Sequence, residues 1–121
     1  DNKQAASYSG INSRRVTMTV FVIMGIFASC AGILSSARTF SAQFNVGEGS
    51  EMDAISAVVL GGTSMSGGVG RLSGTIIGCI VIGVLNNGMN ILGIDSSWQY
   101  VVKGVVVLIA VFIDYIKKMK D

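Results

Sequence analysis

The sequence predicts an all-α, polytopic membrane protein: three full transmembrane helices, one short broken helix with a glycine-rich loop, and a short cytoplasmic helix in front. Three observations carry this. Half of the 121 residues are hydrophobic and only 13% are charged, about half the usual charged share. A soluble domain of this size would be left with a surface too apolar to stay dispersed. Long uncharged runs at residues 16–37 and 72–94 each suffice for a hydrocarbon core about 30 Å thick. Between them lies Leu60-Gly61-Gly62-Thr63-Ser64-Met65-Ser66-Gly67-Gly68-Val69-Gly70-Arg71, a backbone free to turn sharply and to let other chains approach.

Residues 1–15 are polar and basic, with Lys3, Arg14 and Arg15. Asn2 can cap a short helix that stops at Gly10. The first span, 16–37, repeats Gly25, Ser29, Gly32 and Ser36 at helical spacing, a stripe of small residues suited to close helix packing in lipid. Residues 38–50 read as an external loop carrying Glu48, with Glu51 and Asp53 following at the start of the next segment. The short segment 51–62 reaches only about 18 Å as a helix and cannot cross a bilayer. The glycine-rich loop 63–71 follows it. Irregular backbone at membrane depth is tolerated only when buried in protein or facing a watery cavity, and in transporters such broken segments mark the substrate route.

The second span, 72–94, opens with Gly74 and Gly78 as a GxxxG pair and continues the small spacing through Cys79 and Gly83. Its outer half carries Asn86, Asn87 and Asn90; amides in a membrane helix need neighbouring helices, water or a hydroxyl-rich ligand as partners. Trp98 and Tyr100 suit an interfacial aromatic anchor for the last span, 98–116. Lys103, near its outer end, can snorkel outward or meet Asp95. Lys117, Lys118 and Lys120 lie in the tail 117–121. These lysines and the basic residues before the first span make both ends cytoplasmic.

Catalysis is not indicated. The chain has no histidine, no serine with a base to activate it, and carboxylates that sit in a loop or stand alone. Cys30 and Cys79 read as buried free thiols behaving as small hydrophobes. No metal site and no cofactor are expected. The glycine loop fails both nucleotide fingerprints. Gly62 and Gly67 have P-loop spacing, but Gly68 stands where the lysine belongs, and Ser73 replaces the third glycine of the dinucleotide pattern. That argues against a soluble nucleotide-binding domain. A small stand-alone membrane anchor or an oligomeric channel is the alternative that keeps the topology.

Several separated motifs carry a specific resemblance. Met52-Asp53-Ala54-Ile55-Ser56-Ala57-Val58-Val59-Leu60-Gly61-Gly62-Thr63-Ser64, then Gly67-Gly68-Val69-Gly70-Arg71, Leu85-Asn86-Asn87-Gly88-Met89-Asn90 and Trp98-Gln99-Tyr100-Val101-Val102-Lys103-Gly104 occur in that order. The chain resembles the permease subunit of bacterial ribose-type ABC importers, over essentially its whole length. The resemblance implies a ten-helix inner-membrane subunit that forms a dimer with a second permease copy. It also implies an ATP-binding cassette ATPase subunit and an external sugar-binding protein as partners, a monosaccharide (ribose foremost) as cargo, and no nucleic acid. Permeases of this kind are more than twice as long, so the chain corresponds to their C-terminal part, with helices seven to ten as its four segments.

By the same resemblance, residues 1–15 form the coupling segment, with Gln4, Ala5, Ala6 and Gly10 docking into the ATPase. Relatives usually carry an acidic residue where Gln4 stands, which weakens a charge-based docking. Glu48 and Glu51 would face the binding protein. Gly61, Gly62, Ser64, Ser66, Asn86 and Asn90 would line or gate the translocation path, with Ser64, Ser66, Asn86 and Asn90 offering transient hydrogen bonds to the sugar. Gly25, Ser29, Gly32, Gly74, Gly78 and Gly83 are the helix-packing residues.

Overall fold

The computed structural model describes residues 2–120; Asp1 and Asp121, the outermost residues of the expected coupling segment and tail, lie outside them. The described residues form five helices and no strand: α1 (Lys3–Tyr8), α2 (Ser13–Thr39), α3 (Ser50–Leu60), α4 (Leu72–Ile91) and α5 (Ser96–Lys120). Three of them, α2, α4 and α5, are long and apolar enough to cross a membrane. The 11 residues of α3 reach about 16 Å, half a hydrocarbon core. The chain divides into two compact units, Asp1–Glu48 and Gly49–Asp121.

In the first unit, Asn2 caps α1 by accepting from the backbone N–H groups of Gln4 and Ala5. At the other end Gly10 takes φ +81°, and the Ile11 N–H reaches the Ala6 carbonyl at 3.0 Å. This closing turn satisfies helix-end carbonyls and needs the left-handed conformation that glycine adopts freely. Asn12 then caps α2 through the Arg15 N–H. The helix starts three residues before the uncharged run, because Arg14 and Arg15 are good helix formers and nothing stops the helix there. Thr17, Thr19 and Ser29 donate their hydroxyls to the Ser13, Arg15 and Gly25 carbonyls one turn back, so these polar groups need no outside partner. Phe40, at φ 52°, ends α2.

The second unit packs α3 against both α4 and α5. Gly61 lies on Gly74, and Ala57 on Gly78, so α3 and α4 run antiparallel with backbone against backbone. A Cβ added at Gly61, Gly74 or Gly78 would collide with the facing main chain. Two side-chain pairs, Asp53–Lys103 and Ser64–Asp114, show that α3 and α5 run parallel. The small core is Ser56, Ala57, Val59, Ile82 and Met89, and the buried Ser56 hydroxyl donates to the Met52 carbonyl at 2.6 Å.

The glycine-rich loop is ordered by its own backbone. Gly62, at φ +86°, lets the Thr63 N–H reach the Val58 carbonyl and its own N–H the Val59 carbonyl. Ser64 N–H donates to Val69 C=O at 2.9 Å, and Gly67 N–H to Ser64 C=O at 3.1 Å; together they close residues 64–69 into a compact turn. A third glycine-closed end, at Gly93 with φ +68°, stops α4 at Ile91, short of the full run 72–94.

Candidate functional site

Polar side chains of the second unit gather at three levels along α5. At the first, Lys103 meets Asp53, with Nζ 2.6 Å from Oδ1 and side chains only 11% and 29% exposed. Oδ1 makes no well-aligned hydrogen bond, so the contact is a Coulombic pair. The other Asp53 oxygen, Oδ2, accepts from Asn86 Nδ2 at 2.9 Å. The Lys103 ammonium also sits 5.6 Å from the centroid of the Tyr100 ring, within range of a cation–π attraction. Tyr100 in turn packs on Gly49, where an added Cβ would come within 2.6 Å of the phenol oxygen. The amide oxygen of Asn86 is buried and has no hydrogen-bond partner among the described residues.

This arrangement corrects the expectation that Lys103 would turn outward or meet Asp95. Asp95 precedes α5 and lies two turns below Lys103, about 12 Å along the axis, while parallel packing sets Asp53 beside it. A cation inside an apolar helix needs a counter-charge. Neither Asp53, in the first turn of α3, nor Asp114 is therefore an isolated carboxylate. The cysteines also differ from expectation: both are free, but Cys30 and Cys79 are exposed, because they lie on helix surfaces that no other described residue covers.

At the second level, the glycine-rich loop meets the far end of α5. Lys118 Nζ lies 2.6 Å from Ser66 Oγ, Ser66 Oγ 3.0 Å from Ser64 Oγ, and Ser64 Oγ 3.0 Å from Asp114 Oδ2. Each hydroxyl carries one proton, which fixes the direction of the chain. Lys118 donates to Ser66, Ser66 to Ser64, and Ser64 to Asp114. The chain begins on an ammonium and ends on a carboxylate, so both terminal bonds are charge-assisted. Asp114 and Lys118 stand one turn apart on α5 and are joined through the loop.

At the third level, Gln99 Nε2 donates to Asn90 Oδ1 at 3.0 Å and to the Ile94 carbonyl at 2.9 Å, tying the α4–α5 turn. The four residues expected to share a path are thus held in three places. Ser64 and Ser66 sit together, Asn86 joins the ion pair, and Asn90 serves the turn. Sequence reasoning missed Asp53, Lys103, Asp114 and Lys118 as partners of these groups. The available signal was a lysine and an aspartate eleven residues apart inside an otherwise apolar helix.

Gln4, Ala5 and Gly10 are exposed and Ala6 is half-buried on α1 and its closing turn. Glu48 lies in the loop that ends the first unit, and Glu51 in the first turn of α3. Gly25, Gly32 and Gly83 have nothing near an added Cβ, and Ser29 bonds within its own helix. Two grooves flank α3: a polar-edged one of about 230 Å³, bounded by Asp53, Ala57, Ile82 and Asn86, and an apolar one of about 280 Å³, bounded by Ile55, Val58 and Met65. Among the described residues no group of acidic, cysteine or histidine side chains could hold a metal ion.

Residues 1–111 match the family described as branched-chain amino acid transport system / permease component. The chain belongs to this permease family. The permease chain is 51% identical to the ribose import permease protein of Escherichia coli K12 and 52% to that of Bacillus subtilis 168, each over 93% of this chain and 35% of the relative. It is 42% identical to the xylose transport system permease protein of Haemophilus influenzae, over 98% of this chain and 32% of that relative. It thus spans about a third of the length of the curated relatives it matches. No solved structure matches it. The permease chain is a multi-pass membrane protein by family and by its three spanning helices.

Proposed function

We propose that the chain is the C-terminal part of the membrane subunit of an ATP-driven pentose importer in a bacterial inner membrane. The observation that carries this is the identity of about half to two ribose import permeases over nearly the whole chain. The additional likeness to a xylose permease supports five-carbon sugars as the cargo class, with ribose first. The subunit itself does no chemistry; a separate ATPase hydrolyses ATP, and an external binding protein delivers the sugar.

Each segment then has a role. The exposed α1, with Gln4, Ala5, Ala6 and Gly10, docks into the ATPase and transmits its closure. Glu48 and Glu51 face the binding protein, and a second permease copy completes the path. Basic residues at the start of α2 and the end of α5 keep both ends cytoplasmic. The sugar passes beside α3, its loop and α4, where weak and transient hydrogen bonding favours release over retention. Binding alternates as the helices shift between outward- and inward-open forms.

The test is uptake of radiolabelled ribose and xylose by vesicles holding the full-length permease with its ATPase and binding protein. ATP-dependent accumulation of a pentose is the expected result. Accumulation that proceeds without ATP, or none for either sugar, overturns the proposal.

A further inference from the structure

The helix α3 and its loop look at first like a hinged flap: a half-length helix followed by glycines. The polar contacts point the other way. Asp53, at the start of α3, is held by Lys103 at 2.6 Å. Ser64, beyond its end, is held by Asp114 at 3.0 Å, with Lys118 on Ser66 beside it. Each of the two pairs is 50 residues apart in sequence, so both anchors on α5 are separated by the same eleven residues as their partners. On α5 the two anchors stand about 16 Å apart along one helix, and the chain from Asp53 through the end of α3 and the turn at Gly62 brings Ser64 to the second of them. The antiparallel contacts of Gly61 and Ala57 with Gly74 and Gly78 hold the other side of α3, where backbone touches backbone.

We infer that α5 splints the α3–loop hairpin at both ends, so that α3, its loop, α4 and α5 move as one rigid body during transport. Lys103, Asp114 and Lys118 are positioning residues in this arrangement; none of them needs to touch the sugar. The inference rests on the permease reading above and adds that the glycine-rich loop is not the moving gate. Three features support it together: a clamp with net attraction at each end, a loop closed by its own backbone bonds at Ser64 and Val69, and a glycine seam at which the α3 and α4 backbones touch.

The experiment uses the full-length transporter in vesicles, with Cys30 and Cys79 replaced by alanine, and carries Ser64→Cys together with Asp114→Cys. With both thiols free the hydroxyl chain is broken, and pentose import falls several-fold. Joining them with a short bis-methanethiosulfonate, which forms a disulfide to each thiol and releases methanesulfinate, restores the tie, and import rises again towards that of the parent. A loop that must swing away from α5 gives the opposite sign: the cross-link lowers import further, and reductant relieves it. That result overturns the inference. In parallel, Asp53→Lys and Lys103→Asp each reduce import at least tenfold, and the double exchange recovers at least a third of it. A double variant no better than either single one overturns the splint at the outer end. Failure of the unmodified transporter to import any pentose overturns the permease reading and this inference with it, whereas loss confined to the cross-linked protein overturns the inference alone.

Discussion

The Lys103 side chain is the most informative single group in the chain. It lies in an apolar helix, nine-tenths covered, and its charge is tolerable only beside Asp53. Replacing it by methionine leaves Asp53 with the Asn86 amide as its remaining close partner. The expected cost is about 3 kcal/mol, the lower end for stranding one member of a buried pair. A thermal melt of the purified full-length permease reads it as a lowered midpoint, and adding Asp53→Asn recovers part of the loss. If the double variant melts lower than Lys103→Met alone, the pair is not what the charge is for. The pairing was illegible in the sequence. Asp95 was nearer along the chain, and nothing local reveals that α3 and α5 pack in parallel at a fifty-residue offset. The amide Asn86 was legible as a group in need of a partner, but not as the hydrogen-bond donor to Asp53.

At the level of elements, the legible features were those set by local chemistry. Asn2 caps a short helix, Gly10 closes it, and the apolar stretch before Gly61 is too short to cross a bilayer. Helix ends were less legible. Arg14 and Lys117 lie outside the expected spans 16–37 and 98–116 yet inside α2 and α5, since hydropathy marks the hydrocarbon core while helices run on until a cap. The glycines of these elements separate by cause. Gly62 has open space but φ +86°, so Gly62→Ala is expected to cost about 1 kcal/mol from left-handed strain alone. Gly78→Val inserts atoms against the Ala57 main chain and is expected to cost about 3 kcal/mol, at the upper end for overpacking. Gly83→Ala meets nothing within 4 Å and should stay within about 0.5 kcal/mol of the parent. Denaturation midpoints in the same detergent should fall least for Gly83→Ala, more for Gly62→Ala and most for Gly78→Val, and a Gly83 variant as damaged as Gly78 would contradict it.

On the scale of the whole molecule, charge placement governs orientation. Arg14 and Arg15 precede α2, and Lys117, Lys118 and Lys120 close α5, while residues 41–49 carry Glu48 and no basic side chain. On the proposed topology, with the positive ends inside, alkaline phosphatase inserted after Asn45 in the full-length permease should be active in intact cells. The same reporter after Lys120 should be silent. Activity at both positions, or only at the second, would reject this topology. The family was legible because its motifs are spread over 50 or more residues in a fixed order. The division into two units was not, since it depends on which surfaces find partners.

The closed end of α3 has one more consequence, for what such a membrane site excludes. A helix that stops inside a bilayer ordinarily presents bare carbonyls, equivalent to about half a negative charge, and so attracts sodium or potassium. Here the carbonyls of Ala57, Val58 and Val59 already accept from Gly61, Thr63 and Gly62. The end of α3 therefore shows little of the negative potential a cation would seek. On the proposed pentose import, this leaves a neutral, hydroxyl-bearing cargo without a competing cation site at the end of this helix.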